Sequence, residues 1–345
     1  MAKISSKRSL ISRLKDKLPI VVISFFSVML FIAIYIKGGD SQVLNTIITG
    51  GMWALLAVGL ALVFGVMNIP HFAHGESFMI GAYVAYFTFT PMQEYLYTHP
   101  SEFLSMMAPL GAIFAAGIAG AILGVLIEKL IFSPLRRRTK KDWIMNAFLL
   151  TVGISFVLSN GTNLVLGPNF RGISRYWDVQ AVQIGEAYMS FDRLAAFAIS
   201  MILIGLLWFF LRYTRVGRAI RAVSQDETGA MLVGINLNFI QTLTFSLATA
   251  MASISGASLL FLFQAYPTVG GTPLYYAWYV VMMAGLGNVA GAIIGGFIVA
   301  LLQTATQLFV AVSWTTVLPT AVMILVLLIA PSGLFGSEVK GVQEQ

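Results

Sequence analysis

Runs of about 20 apolar-dominated residues recur along this chain, beginning with PIVVISFFSVMLFIAIYI at 19–36. A helix of that length, rising about 1.5 Å per residue, crosses a hydrocarbon core of roughly 30 Å. Inside lipid every backbone N–H and C=O must be paired within the segment, so such runs are helices. Charged residues are only 10% of the 345, too few to clothe a water-soluble body of this size. The chain therefore reads as an all-α polytopic membrane protein of about ten transmembrane helices. The runs lie at 19–36, 42–66, 72–90, 105–132, 144–166, 191–212, 240–264, 275–287, 291–311 and 316–331. The pair 275–287 and 291–311 is Gly-rich, and its first member is short for a crossing, which leaves room for a re-entrant or broken helix. The first run follows a basic segment, as a signal peptide would. It leads into KGGDS rather than a small-residue cleavage site, so an uncleaved span is expected.

Orientation follows from the basic residues at the span ends. In the ten-span arrangement fifteen of the 21 fall on one side. They are Lys3, Lys7, Arg8, Arg13, Lys15 and Lys17 before the first run, then Arg136, Arg137, Arg138, Lys140 and Lys141, then Arg212, Arg215, Arg218 and Arg221. That side is assigned to the cytoplasm, with both termini on it. The expected layout is a basic N-terminus at 1–18, a transmembrane domain at 19–331 with a polar loop at 213–239, and a cytoplasmic tail at 332–345. The net charge of +7 is thus a topology signal, and no nucleic-acid partner is inferred. With no cysteine, disulfides and thiolate chemistry are excluded. The opposite-side loop at 167–190 is mixed and aromatic; a lid, a docking surface and a plain connection all remain open.

GRAIRAVSQDETGAMLVGIN at 217–236 is one of the few polar stretches. Ser224 and Glu227 stand in S-x-x-E spacing, which predicts a capping box opening a short helix over 225–233 that Gly234 closes. Asp226 and Glu227 favour its N-terminal turn, while Ala230, Met231 and Val233 supply apolar contact. About nine residues cannot hold a helix alone in water, so a surface must support it. Just before, Arg218, Arg221 and Gln225 share one helical face, and Ala219, Ala222 and Val223 another. The loop runs about 27 residues where a simple connection needs about two to eight, as expected of an element gripped by a cytoplasmic partner.

The pattern Gly217, Arg218, Ala219, Arg221, Ala222, Asp226, Ala230, Gly234, Ile235 resembles the coupling loop of bacterial ABC-importer permeases of the branched-chain amino acid type. NIPHFAHGESFMIGAY at 68–83, LIEKLIFSPLRRR at 126–138 and GLGNVAGAIIGGF at 285–297 resemble further signatures of that family. His71 departs from its usual Asn. The resemblance implies a subunit that couples through 217–236, Glu227 included, to ATP-binding subunits. It implies an assembly with a second permease subunit (a paralogue rather than a copy), two ATP-binding subunits carrying ATP and Mg²⁺, and a periplasmic solute-binding protein, in the bacterial inner membrane. The chain itself would bind lipid around it, no cofactor and no metal.

Two segments are candidates for the translocation path or gate: Asn68, His71, His74, Gly75, Glu76 and Gly81 in the first, and Gly285, Gly287, Asn288, Gly291, Gly295 and Gly296 in the second. Ionisable groups at membrane depth face a cavity, a partner or the aqueous edge. For His71, His74 and Glu76 a metal site, a polar path lining and a structural role at a helix break near Pro70 compete. The glycines allow close packing or a gate. The chain contains no G-x-x-x-x-G-K-[ST] phosphate loop, so ATP hydrolysis would belong to another polypeptide. The alternative is a carrier or channel driven by an ion gradient. Such proteins place carboxylates at mid-membrane, whereas Glu76 and Glu128 are expected toward the cytoplasmic ends of their spans.

Overall fold

The computed structural model describes residues 2–139 and 143–336, with side chains from residue 21 onward. Each of the ten apolar runs falls on helix, and the protein is an all-α multi-pass membrane protein with one short β-hairpin. Helix α1 (Ala2–Met67) contains the first two runs, divided where Gly39 takes φ 63° and ψ −166°. It is followed by α2 (His74–Thr98) and α3 (Glu102–Ile127). A π-helical turn (Glu128–Phe132) carries α3 straight into α4 (Ser133–Arg138). Then come α5 (Trp143–Leu166), the hairpin β1–β2 (Val182–Ile184, Ala187–Met189) and α6 (Phe191–Tyr213). Two short helices, α7 (Arg215–Gln225) and α8 (Glu227–Leu232), precede α9 (Leu237–Ser258). The chain closes with α10 (Gly271–Ala284), α11 (Val289–Phe309) and α12 (Val317–Ile329).

Seven helical segments among the described residues are long and apolar enough to cross a membrane by themselves. The difference from ten has three sources. The first two runs follow one another across the kink at Gly39 as one long segment, α2 is less apolar than a lone span, and α10 has only 14 residues. The basic stretch after the fourth run is also not a loop: Arg136, Arg137 and Arg138 are helical, because the π turn lets the helix continue past Pro134 at the first turn of α4. Lys140, Lys141 and the tail beyond residue 336 lie outside the described residues, as do the side chains of the basic N-terminus.

The centre of the bundle is the second half of α1, packed against α11, α9, α10 and α6, with α2 and α3 completing it around α9. Small residues set the spacing. A Cβ on Gly296 would lie 2.8 Å from the Ala54 backbone, and one on Gly81 would lie 1.9 Å from the Ser253 carbonyl oxygen. In lipid no hydrophobic drive separates helix contacts from lipid contacts, so this close approach and its dispersion energy hold the helices together. By contrast α5, α6 and α12 turn most of their apolar surface outward, as lipid-facing helices do.

Candidate functional site

Met67 ends α1, yet His74 at the start of α2 brings its Nε2 within 3.1 Å of the carbonyl of Leu56, eleven residues back up that helix. Eleven residues of helix span about 16 Å. The six residues between α1 and α2 must therefore climb back into the bundle, which extended backbone at about 3.3 Å per residue can do. Helix α2 thus begins inside the membrane body. Glu76 Oε1 accepts from the Ser155 hydroxyl at 2.6 Å, and Ser155 is halfway along the 24-residue α5. Glu76 is at mid-depth. This corrects the expectation that it sits near the cytoplasmic end: a break in hydropathy marks where helix stops, not how deep the chain is when it stops.

A second segment does the same. Helix α9 ends at Ser258, short of the apolar run's end at 264, and turns occupy residues 259–270 before α10 starts. Gly270 meets Gly75 backbone to backbone: a Cβ at Gly270 would fall 1.9 Å from the Gly75 oxygen. The first turns of α2 and α10 therefore adjoin at the level of Glu76, and the short run at 275–287 is a helix that begins within the membrane. Irregular backbone at this depth needs polar partners from inside the protein. Helix α5 supplies them through hydroxyls four residues apart. Thr151 accepts from the Phe72 N–H at 3.2 Å and lies 3.1 Å from the Pro70 carbonyl, Ser155 holds Glu76, and Ser159 donates to the Pro267 carbonyl at 2.9 Å. The sequence reading missed these three, although the i, i+4, i+8 spacing on an apolar helix was a usable signal.

The first segment's residues are largely brought together. His71 is fully buried against the Phe245 ring, at 4.8 Å, and 5.7 Å from the His74 ring. Both His71 ring nitrogens and Glu76 Oε2 are buried without a partner among the described residues. Asn68 stands apart, ending α1 with φ 54°, and Gly81 lies farther along α2 at the α9 crossing. The second segment is not part of this cluster. Gly285, Gly287, Asn288 and Gly291 gather at the end of α1: Gly287 abuts Gly65, and Asn288 caps α11 through the Gly291 N–H at 2.8 Å while donating to the Phe335 carbonyl at 2.6 Å. Residues 334 and 335 pair with the carbonyls of Met283 and Ala284. Gly295 and Gly296 pack on Val280 and Ala54.

The polar stretch is helical, but its caps differ from those predicted. Ser224 bonds the Arg221 carbonyl at 2.9 Å instead of opening a helix, Asp226 is the N-cap residue of α8 without a side-chain bond, and Glu227 accepts from Gln241 at 3.4 Å. The capping box gives way because α7 runs on through Ser224. The stabilising cap is Thr214, whose hydroxyl accepts from the Gly217 N–H at 2.9 Å. The expected end holds: with Gly234 at φ 84°, the Gly234 N–H bonds Met231 and the Ile235 N–H bonds Ala230, the paired bonds of a Schellman cap. Gly217 packs on the backbone of Phe210 and Leu211, and Arg218 and Arg221 reach the carbonyls of Tyr213 and Arg212 at the end of α6. Ile220, Val223 and Ala230 are buried, Ala219, Ala222 and Ile235 are partly so, and Met231, Leu232 and Val233 are exposed, the last two by 84% and 76%.

In the loop at 167–190, Asp192 accepts from the N–H groups of Tyr176 and Trp177 at 2.8 and 3.2 Å, and the Tyr176 hydroxyl donates to the Ala257 carbonyl at 2.7 Å. Arg171 exchanges backbone bonds with Ala265. The loop is thereby tied to the end of α9 and to the turn segment before α10. Burial pushes the Tyr176 phenol well above the ordinary tyrosine range, and the nearby Asp192 adds to the shift.

Membrane-length helices around two that start at mid-depth, beside a half-paired carboxylate, define a multi-pass protein with a discontinuous core, the architecture of solute permeases. The chain belongs to the family described as branched-chain amino acid transport system / permease component, whose match covers residues 42–327. It is 29% identical over 311 residues to the high-affinity branched-chain amino acid transport system permease protein LivH of Salmonella typhimurium, covering 86% of this chain and 94% of that one. It is 28% identical over 301 residues to the corresponding protein BraD of Pseudomonas aeruginosa, covering 86% and 95%. A ribose import permease protein, RbsC of Haemophilus influenzae, is 25% identical over 306 residues, covering 84% of each chain. No solved structure gives a significant match.

Proposed function

We propose that this chain is the membrane-spanning subunit of an ATP-driven importer that moves branched-chain amino acids across a bacterial inner membrane by alternating access. Similarity along most of the chain to LivH and BraD supports the solute class. In this reading the chain crosses the membrane ten times with both termini and residues 213–239 in the cytoplasm. A paralogous permease subunit completes the path, two ATP-binding subunits carry ATP and Mg²⁺, and a solute-binding protein docks on the opposite face at 167–190.

The observation that carries the proposal is the projection formed by α7 and α8. It is fixed at both ends by the Thr214 and Gly234 caps and presents an apolar tip at Met231, Leu232 and Val233 that no described residue covers. A partner can move such a tip only if the element is stiff, and α7 passes the motion on because it packs against α6, α1 and α9. Driving a permease between two states requires several kcal/mol of differential binding, which a socketed apolar tip supplies. At the other end of α9 lie the turns before α10 and the Glu76 level, so motion of α9 reaches the point where two helices begin. We assign Asn68, His71, His74, Gly75, Glu76 and Gly81 to the path, and Gly285, Gly287, Asn288 and Gly291 to the hinge below it, with Gly295 and Gly296 as packing.

The test is co-purification of the tagged chain from its native membrane, as wild type, Leu232→Asp and Arg221→Glu. Wild type is expected to bring down ATP-binding subunits, and Leu232→Asp to release them while leaving the fold intact, since that side chain touches little of its own chain. Retention of the ATPase by Leu232→Asp would refute the coupling assignment. Solute uptake that continues after ATP hydrolysis is blocked would overturn the importer reading in favour of a gradient-driven carrier, for which mid-depth Glu76 would be the ion site.

A further inference from the structure

The helix Glu102–Arg138 is 37 residues long, about 55 Å at 1.5 Å per residue. A bilayer with its headgroup layers is about 40–45 Å thick. The last turns of this helix therefore stand in the headgroup layer on the side of α7 and α8. Within them the π-helical turn Glu128–Phe132 separates two sets of charges. Glu128 turns inward, fully buried, and is paired with Arg136, which also lies against the Trp143 ring. Lys129, Ser133 and Arg137, each four residues from the next, line the outward face with Arg138 beside them. Asn238 and Thr242 at the start of α9 form the opposite wall, and the groove between has a volume of about 520 Å³.

Every charge lining this groove is positive, and neither Lys129, Arg137 nor Arg138 forms an ion pair among the described residues. Apolar side chains stand exposed beside lining residues in the chain: Leu130, next to Lys129, is 71% exposed, and Phe239, next to Asn238, is 54% exposed. A ligand that satisfies both must carry an anionic head and a hydrocarbon body. A soluble phosphate matches only the first requirement, and an acidic protein surface would leave the exposed apolar side chains uncovered. Basic pockets between helices at this face of a membrane suit acidic lipid headgroups on general electrostatic grounds.

We propose that the groove between the α3–α4 stem and the start of α9 seats the headgroup of an acidic glycerophospholipid, tying the two together. The phosphate lies among Lys129, Arg137 and Arg138, with Ser133 and Asn238 as neutral donors and the acyl chains along Leu130 and Phe239. Because α9 follows directly on residues 213–236, the lipid braces the root of that projection. The site is independent of which solute is carried.

The test uses the chain with whatever subunits co-purify, in nanodiscs of phosphatidylcholine with increasing phosphatidylglycerol, and native mass spectrometry of lipid adducts. Wild type is compared with the triple variant Lys129→Gln, Arg137→Gln, Arg138→Gln, and with the single variant Arg137→Gln in case the triple does not fold. Each cation near an anionic surface contributes about a fivefold factor, so the triple variant should lose roughly a hundredfold in phosphatidylglycerol affinity and the single variant about fivefold. Its thermal midpoint in pure phosphatidylcholine should match wild type, and phosphatidylglycerol should raise only the wild-type midpoint. Unchanged phosphatidylglycerol binding in the single and triple variants would overturn the proposal. So would full competition by inorganic phosphate, which would make this a soluble-anion site. Loss of the ATP-binding subunits from the triple variant in pure phosphatidylcholine would overturn it too, marking the groove as a protein socket. Failure of any subunit to co-purify with wild type bears on the importer reading alone.

Discussion

Replacing Gly81 by alanine tests whether the α2–α9 crossing fixes the core. A Cβ there would sit 1.9 Å from the Ser253 carbonyl oxygen and 2.5 Å from its carbonyl carbon and Cα, all of them backbone atoms that no rotamer change can move. Ordinary contact begins at 3.4 Å, so the two helices must part locally by about 1.5 Å. The crossing is reciprocal, since Gly256 approaches the Phe78 carbonyl just as closely, and it carries the 2.7 Å bond from the Ser253 hydroxyl to the Ser77 carbonyl. Overpacking a close-fitted core costs about 1–3 kcal/mol. Losing the buried hydrogen bond adds about 1 kcal/mol, and the better helix propensity of alanine returns up to about 1 kcal/mol. The expected net destabilisation is about 1–3 kcal/mol. Gly111→Ala and Gly153→Ala are the controls: each stands on a helix with no atom within 4 Å of the added methyl, so propensity alone acts and stability should hold or rise slightly. Thermal unfolding midpoints of the three variants in one detergent decide the matter. A Gly81→Ala midpoint equal to those of the controls would refute the close-crossing argument.

Arg136→Met should cost about 3 kcal/mol by leaving buried Glu128 without its partner, and adding Glu128→Gln should recover most of that loss; thermal unfolding of the double-mutant cycle checks both. Glu76→Gln, which keeps an acceptor for Ser155 but replaces the unpartnered carboxyl oxygen by an amide group, should leave subunit association intact and lower solute uptake in proteoliposomes by about tenfold, or about 1.4 kcal/mol. Asp192→Ala strands the N–H groups of Tyr176 and Trp177, so limited proteolysis should cut residues 167–190 several times faster than in wild type, and equal rates would show the loop is held by other contacts. The raised pKa of Tyr176 means that the folded protein keeps this phenol protonated above pH 10 while the unfolded chain releases the proton. Stability should therefore be insensitive to this group below pH 10 and fall above it, and Tyr176→Phe should flatten that alkaline fall in a pH series of unfolding midpoints.

The polar projection was legible because its signals are local. Gly234 needs no distant partner to take a left-handed conformation, and the split between Arg218 and Arg221 on one face and Val223 on the other follows from helical spacing alone. The capping box misled for an equally local reason: Ser224 can serve either as a cap or as a residue continuing a helix, and the burial of Ile220 and Val223 on the bundle decides for continuation. The arginines carried a second meaning as well. Their placement signals the membrane face, yet Arg218 and Arg221 also close the carbonyl end of α6, and Arg136 pairs with Glu128, to which the sequence alone assigns no partner.

Depth was not legible, and the reason lies in what hydropathy measures. It reports how long an apolar segment is, and the interruption NIPHFA reads as an exit from the membrane. Here that interruption turns back along α1 and lets α2 start beside Leu56. Such a fold is permitted only if other side chains satisfy the backbone it frees, and those side chains cannot sit on the interrupted segment itself. They sit on α5, where Thr151, Ser155 and Ser159 interrupt an otherwise apolar face at intervals of four. The two irregular segments and the hydroxyl ladder are thus halves of one requirement. A hydroxyl series on a lipid-length helix and a Pro- or Gly-rich break elsewhere in the chain, taken together, carry the depth information that neither contains alone.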